Sequence, residues 1–227
     1  MKILGIDTST PIGSVALIED DNIVAEHTLN IVQAHSSRLM PAIDMVLKKW
    51  GDITPKDLDG CAVGIGPGSF TGIRIGVATA KSLCYAVDKP IVGISTLEAI
   101  GYNLRWTNGL VCPILDARRS EIYGAIFHGG TDWKRLTDDL CLPIDGFLDE
   151  LDKHTTSNSA VHFVGDGLAS YGDAIQERLG ERAYFAESIF NVPRGATIAH
   201  LGAHRLKQGD SDSYWTIVPN YVREGLY

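Results

Sequence analysis

The chain opens with three short apolar runs, Ile3–Ile6, Ser14–Ile18 and Ile23–Leu29, separated by Thr10-Pro11-Ile12-Gly13 and Glu19-Asp20-Asp21-Asn22. Runs of this length bounded by turn residues predict strands joined as two successive hairpins. From residue 35 the period changes. Leu39, Met40, Ile43, Val46, Leu47 and Trp50 recur at helical spacing and predict an amphipathic helix over residues 35–50, capped by Ser36 or Ser37. Pro41 removes an amide bond from that helix and is expected to bend it or to mark where its regular part begins. Ala42, Met45 and Lys49 fall on a second face, suited to solvent or to a partner.

Cys61–Ile65 is a buried-strand pattern that runs into Gly64-Ile65-Gly66-Pro67-Gly68-Ser69-Phe70-Thr71-Gly72. Pro67 and Gly68 stop the strand, and Ser69 or Thr71 can cap a helix that starts near Phe70 and reaches about residue 86. Two readings fit this junction: a tight turn serving packing, or a cradle in which free helix amides meet an anion. The common phosphate motifs do not fit. Gly72, Ile73 and Arg74 stand where a Walker loop needs Gly-Lys-Ser/Thr, and Ser69 stands where a dinucleotide fingerprint needs its third glycine. Within the helix, Gly72, Gly76 and Ala80 recur every four residues and line one face. A second helix or a sheet can approach closely there, which reads as a docking face. Arg74, Ala78, Lys81 and Tyr85 form an adjacent charged stripe.

Ile91–Ile94 predicts another buried strand, and Ser95 or Thr96 with Glu98 opens a helix to about Trp106. Strands followed by alternating helices and strands argue an α/β fold with a parallel portion in its sheet. After the turn Thr107-Asn108-Gly109, a credible lobe boundary, Leu110–Leu115 and Glu121–Phe127 read as strands around Asp116-Ala117-Arg118-Arg119-Ser120. Trp133–Leu142 reads as a further strand, Ile144–Leu151 as a short helix and residues 155–159 as a polar loop. Val161–Val164 leads through Gly165-Asp166-Gly167 into a helix over Leu168–Leu179, and Ala196–Leu206 is the last helix. His200 and His204 lie one turn apart in it, a spacing that suits zinc. Leu201 replaces the glutamate of the metalloprotease signature, and with no third ligand in view the pair reads as surface or core histidines.

Composition narrows the function classes. Of 227 residues, 44% are hydrophobic and 21% charged, values of a folded globular chain. The net charge of −8 disfavours a surface that as a whole attracts nucleic acid, leaving any such contact indirect or confined to local patches such as Arg118-Arg119. No apolar run reaches the roughly 18 residues of a membrane span, and the first residues enter a strand at once, so a cytoplasmic protein is expected. Cys61, Cys84, Cys112 and Cys141 lack the paired spacing of zinc or redox motifs and read as reduced thiols.

The run Gly-Pro-Gly-Ser-Phe-Thr-Gly-Ile-Arg-Ile-Gly over residues 66–76, with Ile6-Asp7-Thr8-Ser9-Thr10, resembles the TsaB (YeaZ) family, bacterial subunits in making threonylcarbamoyladenosine on tRNA. The resemblance also takes in Asp116-Ala117-Arg118 and the Pro-x-Tyr-x-Arg ending at Pro219, Tyr221 and Arg223. It implies an actin-like, sugar-kinase-like (ASKHA) two-lobe α/β fold with ribonuclease-H-like lobes over residues 1–107 and 108–227. The helix near 194–208 is a candidate to pack back on the first lobe.

The same resemblance implies no catalysis by the chain itself, no cofactor and no metal. It implies a heterodimer with the catalytic subunit TsaD, contact with TsaE through the TsaB–TsaD complex, and a homodimer when alone. Asp7, Thr8, Ser9, Gly66 and Gly68 would then be a vestigial nucleotide site, although an Asp7 that caps its own turn explains the same letters. The partner interface would draw on Leu39, Met40, Ile43, Phe70, Gly72, Ile73, Arg74, Gly76, Val77, Ala80, Lys81 and Tyr85. Two features depart from the catalytic relatives and their ATPase cousins. His35 is followed four residues on by Leu39 rather than by a second metal-binding histidine, and the hairpin at 116–120 has no glycine to wrap a phosphate. The alternative is an enzyme in its own right, an actin-like ATPase or kinase using Asp7 and Gly64–Gly68, or a glycoprotease-like hydrolase.

Overall fold

The computed structural model of the chain describes residues 1–30, 35–48, 51, 53–156 and 158–223. Backbone contacts divide it into two compact units, residues 1–99 with 193–220, and residues 100–192 with 221–227. The division falls ahead of the turn at Thr107-Asn108-Gly109.

In the first unit, β1 (Lys2–Asp7), β2 (Ile12–Glu19) and β3 (Asn22–Asn30) form an antiparallel meander, as their alternation predicts. Helix α1 (His35–Lys48) precedes β4 (Gly60–Gly66), α2 (Phe70–Val87) and β5 (Ile91–Ser95). β4 lies parallel to β1, and β5 parallel to β4, giving a five-stranded sheet in the order β3-β2-β1-β4-β5. Parallel neighbours need a crossover, and α2 supplies it between β4 and β5. Leu4, Ile6, Val15 and Leu17 on one sheet face pack against Leu39, Ile43, Val46 and Leu47 of α1 and Ile73, Val77 and Ala80 of α2.

Two expectations for α1 change. The helix runs through Pro41 instead of starting near it, with the ring on the exposed side. Its core stripe is Leu39, Ala42, Ile43, Val46 and Leu47, so Ala42 belongs inside, whereas Met40 stands 50% exposed. Trp50 and Lys49 lie outside the described residues. The helix after β5, α3 (Thr96–Gly101), is also shorter than the pattern to Trp106 predicts, since Tyr102–Leu104 tighten into a 3-10 turn.

The second unit is built on β6 (Leu110–Arg118), paired antiparallel with β7 (Glu121–Gly124) and β8 (Phe127–His128). β9 (Lys134–Arg135) pairs with β8, and β10 (Leu140–Leu142) with β7. The runs Glu121–Phe127 and Trp133–Leu142 are thus each broken, the latter because Leu136–Asp139 turn away to tie Thr137 to Ile126 and Asp139 to Arg135. Helix α4 (Ile144–Asp152) precedes β11 (Val161–Val164), which runs parallel to β6. Helix α5 (Leu168–Leu179) then leads to β12 (Ala183–Phe185), parallel to β11.

The last helix, α6 (Gly195–Lys207), returns to the first unit and covers the other face of its sheet. Ile198, Ala199 and Ala203 meet Ile3, Ile18, Ala62, Val92 and Ile94 there. The approach is close enough that a Cβ on Gly5 would stand 2.1 Å from the Gly195 carbonyl oxygen, and one on Gly202 would stand 2.4 Å from the Ala62 Cβ.

Candidate functional site

Asp7 ends β1, and the chain turns at once through Thr8, Ser9 and Thr10, all buried. The carboxylate Oδ1 of Asp7 accepts from the Ser9 amide at 2.9 Å and from the Ser9 hydroxyl at 2.7 Å, an Asx-turn. Its Oδ2 has no partner at hydrogen-bonding distance among the described residues. Burial pushes the carboxyl up to about 6, against the lowering effect of the Ser9 bonds and of the nearby Thr96 hydroxyl. Enclosure in a low-dielectric place disfavours the charged form.

The glycines of the β4–α2 junction surround this turn. A Cβ on Gly64 would lie 2.0 Å from Asp7 Oδ2, one on Gly68 2.2 Å from the Ser9 carbonyl oxygen, and one on Gly72 2.0 Å from that of Thr8. The Ser69 amide donates to the Ser9 carbonyl at 2.6 Å, and the Thr8 hydroxyl to the Gly72 carbonyl at 2.7 Å. Ser69 also caps α2 by accepting from the Gly72 amide. Asp7, Thr8, Ser9 and Gly68 therefore come together, with the space at the glycine filled by the chain's own turn, whereas a Cβ on Gly66 would meet Ile73 and the Asn220 carbonyl oxygen instead. The Ser69 amide is already engaged and Asp7 is wholly enclosed, so neither is free to meet a phosphate at this spot. Gly64, part of the Gly64–Gly68 loop that the sequence set beside Asp7, does lie against it, and Thr96 is a member of this site that the pattern did not single out. Thr96 reads in the sequence as a helix start, and only the parallel pairing of β4 and β5 brings it beside Asp7.

The helix α2 has two unlike faces. Gly72, Ile73, Gly76, Val77 and Ala80 are buried within the unit, and a Cβ on Gly76 would stand 2.4 Å from Thr8 Oγ1 and 3.7 Å from Val63. This corrects the reading of Gly72, Gly76 and Ala80 as a face open to a second molecule. The small residues let α2 lie close on its own sheet. Leu39 and Ile43 of α1 are likewise inside. Of the residues expected at a partner interface, those presented outward are Met40, Phe70, Arg74 and Tyr85, with Lys81 half-buried and donating to the Ile217 carbonyl. The Arg74 guanidinium lies 3.6 Å over the Phe70 ring. Tyr85 meets Tyr214 and Trp215 edge-on, with ring centroids 5.8 and 5.2 Å away. Sequence reasoning did not find that cluster, since the three rings are joined only by the fold.

In the second unit the β6–β7 hairpin turns on Arg118, Arg119 and Ser120, all in left-handed backbone, with φ of 64°, 56° and 62°. No glycine is present where glycine is ordinarily used, so the turn carries backbone strain. Arg118 pairs with Asp116, and Arg119 is exposed. The Asp166 carboxylate accepts from the Asp116 amide at 3.0 Å, and Arg223 holds Glu121 and the Ala117 carbonyl. The Gly165-Asp166-Gly167 turn thus braces β6, with a Cβ on Gly165 only 2.0 Å from the Ile114 carbonyl oxygen.

An antiparallel meander continued by two parallel strands, with helices on both faces, defines the first unit as ribonuclease-H-like and the chain as a member of the actin-like, sugar-kinase-like class. A hexokinase of the ROK family from Thermus thermophilus has the same fold, with a TM-score of 0.56 at 13% identity, over 91% of this chain and all of that one. Residues 22–225 match the family model described as TsaD, tRNA N6-adenosine threonylcarbamoyltransferase. The tRNA threonylcarbamoyladenosine biosynthesis protein TsaB of Bacillus subtilis is 33% identical over 98% of this chain and 94% of its own length. A Pseudomonas aeruginosa structure described as similar to peptidase YeaZ superposes with a TM-score of 0.83 at 25% identity, covering 98% of this chain and 99% of that one. The chain belongs to the TsaB (YeaZ) family.

Proposed function

We propose that this chain is a non-catalytic subunit required for threonylcarbamoyladenosine formation on the tRNA adenosine next to the anticodon, acting as dimerisation partner and activator of TsaD. The observation that carries this reading is the 33% identity to a TsaB over nearly the full length of both chains. The match of residues 22–225 to the TsaD family model supports common descent with the partner, and related folds pair readily through equivalent surfaces. The enclosed Asp7 supports the absence of independent phosphoryl chemistry, because a group with no exposure cannot reach a nucleotide. TsaE joins through the TsaB–TsaD pair, and tRNA is met indirectly, in keeping with the net charge of −8.

The proposed contact is the outer surface of α1 and α2. Met40, Phe70 and Tyr85 expose 50, 47 and 60% of their area there. Met40 also lines a groove of about 300 Å³ between α1 and residues 53–55, whose walls are Ile43, Leu47, Ile53, Pro55 and Leu83 with the polar Asp44, Lys48 and Thr54. Apolar surface of this kind is usually covered, by TsaD when present and by a second copy when not. The test is size-exclusion chromatography with light scattering on the chain alone and with TsaD, with modification of tRNA and ATP turnover assayed on each peak. Activity only in the mixed peak is the expected result. A chain that ignores TsaD and hydrolyses ATP, with the activity lost in Asp7→Ala, would replace this reading by the ATPase one.

A further inference from the structure

The i, i+4 histidines of α6 acquire in the fold the third ligand that the sequence did not supply. Asp21 sits in the turn between β2 and β3, far from them in the chain, yet ligand atoms of Asp21, His200 and His204 all lie within 4.8 Å of one another. Among the described residues this is the one trio of His, Cys, Asp or Glu side chains so converged. His200 Nδ1 is 3.7 Å from Asp21 Oδ1, and the two imidazole rings stand edge to face with centroids 4.5 Å apart. We propose that His200, His204 and Asp21 form a binding site for a divalent transition-metal ion, zinc by the chemistry of its ligands. The proposal is independent of the role assigned to the outer faces of α1 and α2.

The distances suit the ion. Zinc bound at about 2.0–2.2 Å by nitrogen and oxygen ligands in a tetrahedron sets those atoms roughly 3.4 Å apart. The His200–Asp21 pair is already near that, and the remaining closure is a side-chain rotation at partly exposed residues. Two imidazoles and one carboxylate favour zinc and its neighbours over magnesium or calcium, which take oxygen ligands. The fourth position faces solvent, since Asp21 is 66% and His200 26% exposed, and a water completes the shell.

Both supports of the site are fixed. The α6 helix is held to the sheet by the close contacts of Gly195 and Gly202, and the β2–β3 turn by the Asp20 amide donating to the Met1 carbonyl at 2.8 Å. Ligands on rigid elements need little reorganisation to bind. One group opposes the ion: Lys207 Nζ lies 3.9 Å from the same Asp21 oxygen. Zinc and the Lys207 ammonium therefore compete for one carboxylate.

Zinc titrated into the intact protein against a chromophoric chelator is expected to bind at one equivalent and to raise the thermal midpoint. Cobalt at the same place should give the visible absorption of a four-coordinate ion. Asp21→Asn and His204→Ala should each weaken binding by about tenfold or more, since losing even an outer-shell partner costs that much. Removing the competing charge in Lys207→Gln should tighten binding several-fold. All three positions are exposed or partly so, and folding is checked by the metal-free thermal midpoint. Wild-type protein that binds zinc no more tightly than the Asp21→Asn/His204→Ala double variant would overturn the proposal, as would affinity indifferent to Lys207→Gln.

Discussion

Asp7 is a carboxyl group held where its charge is costly. Its folded pKa of about 6 lies above the ordinary 3.8, so the folded chain binds this proton more tightly than the unfolded one. The stabilising contribution is complete below pH 3.8 and lost as pH rises through about 6. An amide in the same place never ionises: its oxygen can accept from Ser9 and its nitrogen can donate to Thr96. Asp7→Asn is therefore expected to match wild type at pH 4 and to exceed it by about 2–3 kcal/mol above pH 7. Thermal denaturation across that range checks this, and a difference that stays flat with pH would mean the group is ionised and compensated. Part of this site was legible in the letters, since an Asx-turn at Asp7 was one of two open readings. What closes it, Gly64 on one side and Thr96 on the other, depends on strand pairing that no local pattern states.

At the scale of the helix, α2 shows how the same spacing supports opposite conclusions. Small residues every four positions predict a close approach, and the approach exists, but to β1 and β4 of the same unit. Gly76→Leu should accordingly cost the isolated chain roughly 3 kcal/mol or more, because its side chain would enter the space of Thr8 and Val63. A variant with an unchanged thermal midpoint would contradict that packing. The outer face behaves differently. Arg74→Glu and Tyr85→Ala lie on exposed surface and should cost the isolated chain only about 0.5–1.5 kcal/mol, the worth of the ring contacts they lose, while weakening co-purification with TsaD. Periodicity identifies which residues share a face and is silent on what the face meets, which is why the helix was legible and its partner was not. The broken runs in the second unit show a related limit: Trp133–Leu142 reads as a strand with polar interruptions, and the bonds of Thr137 to Ile126 and of Asp139 to Arg135 turn Leu136–Asp139 out of it.

For the whole molecule, the order of elements predicted the fold class well, because alternating strands and helices admit few arrangements and the right-handed crossover admits fewer. The membership of residues 193–220 in the first unit does not follow from element order, since it joins segments separated by an entire second unit, and only the family resemblance offered it, for the helix near 194–208. Nor does element order bring Asp21 to the histidines of α6. The prediction that belongs to this scale is pairing: the isolated chain should run as a homodimer and exchange into a heterodimer when TsaD is added, as read by light scattering. A chain that remains a monomer at micromolar concentration would remove the reason for expecting the outer faces of α1 and α2 to be covered.

The return of α6 also sets an order of events on the ribosome. All five strands of the first sheet have been synthesised once Ser95 is added, yet Ile3, Ala62 and Val92 lose contact with water only when the chain has grown through Lys207. Domains generally close in the order they emerge, and here the sheet must wait with one apolar face bare while the segment from 100 to 192 is made. Nascent chains arrested before residue 195 should consequently be sticky and protease-sensitive in their first hundred or so residues, and the chain released from the ribosome with α6 in place should not.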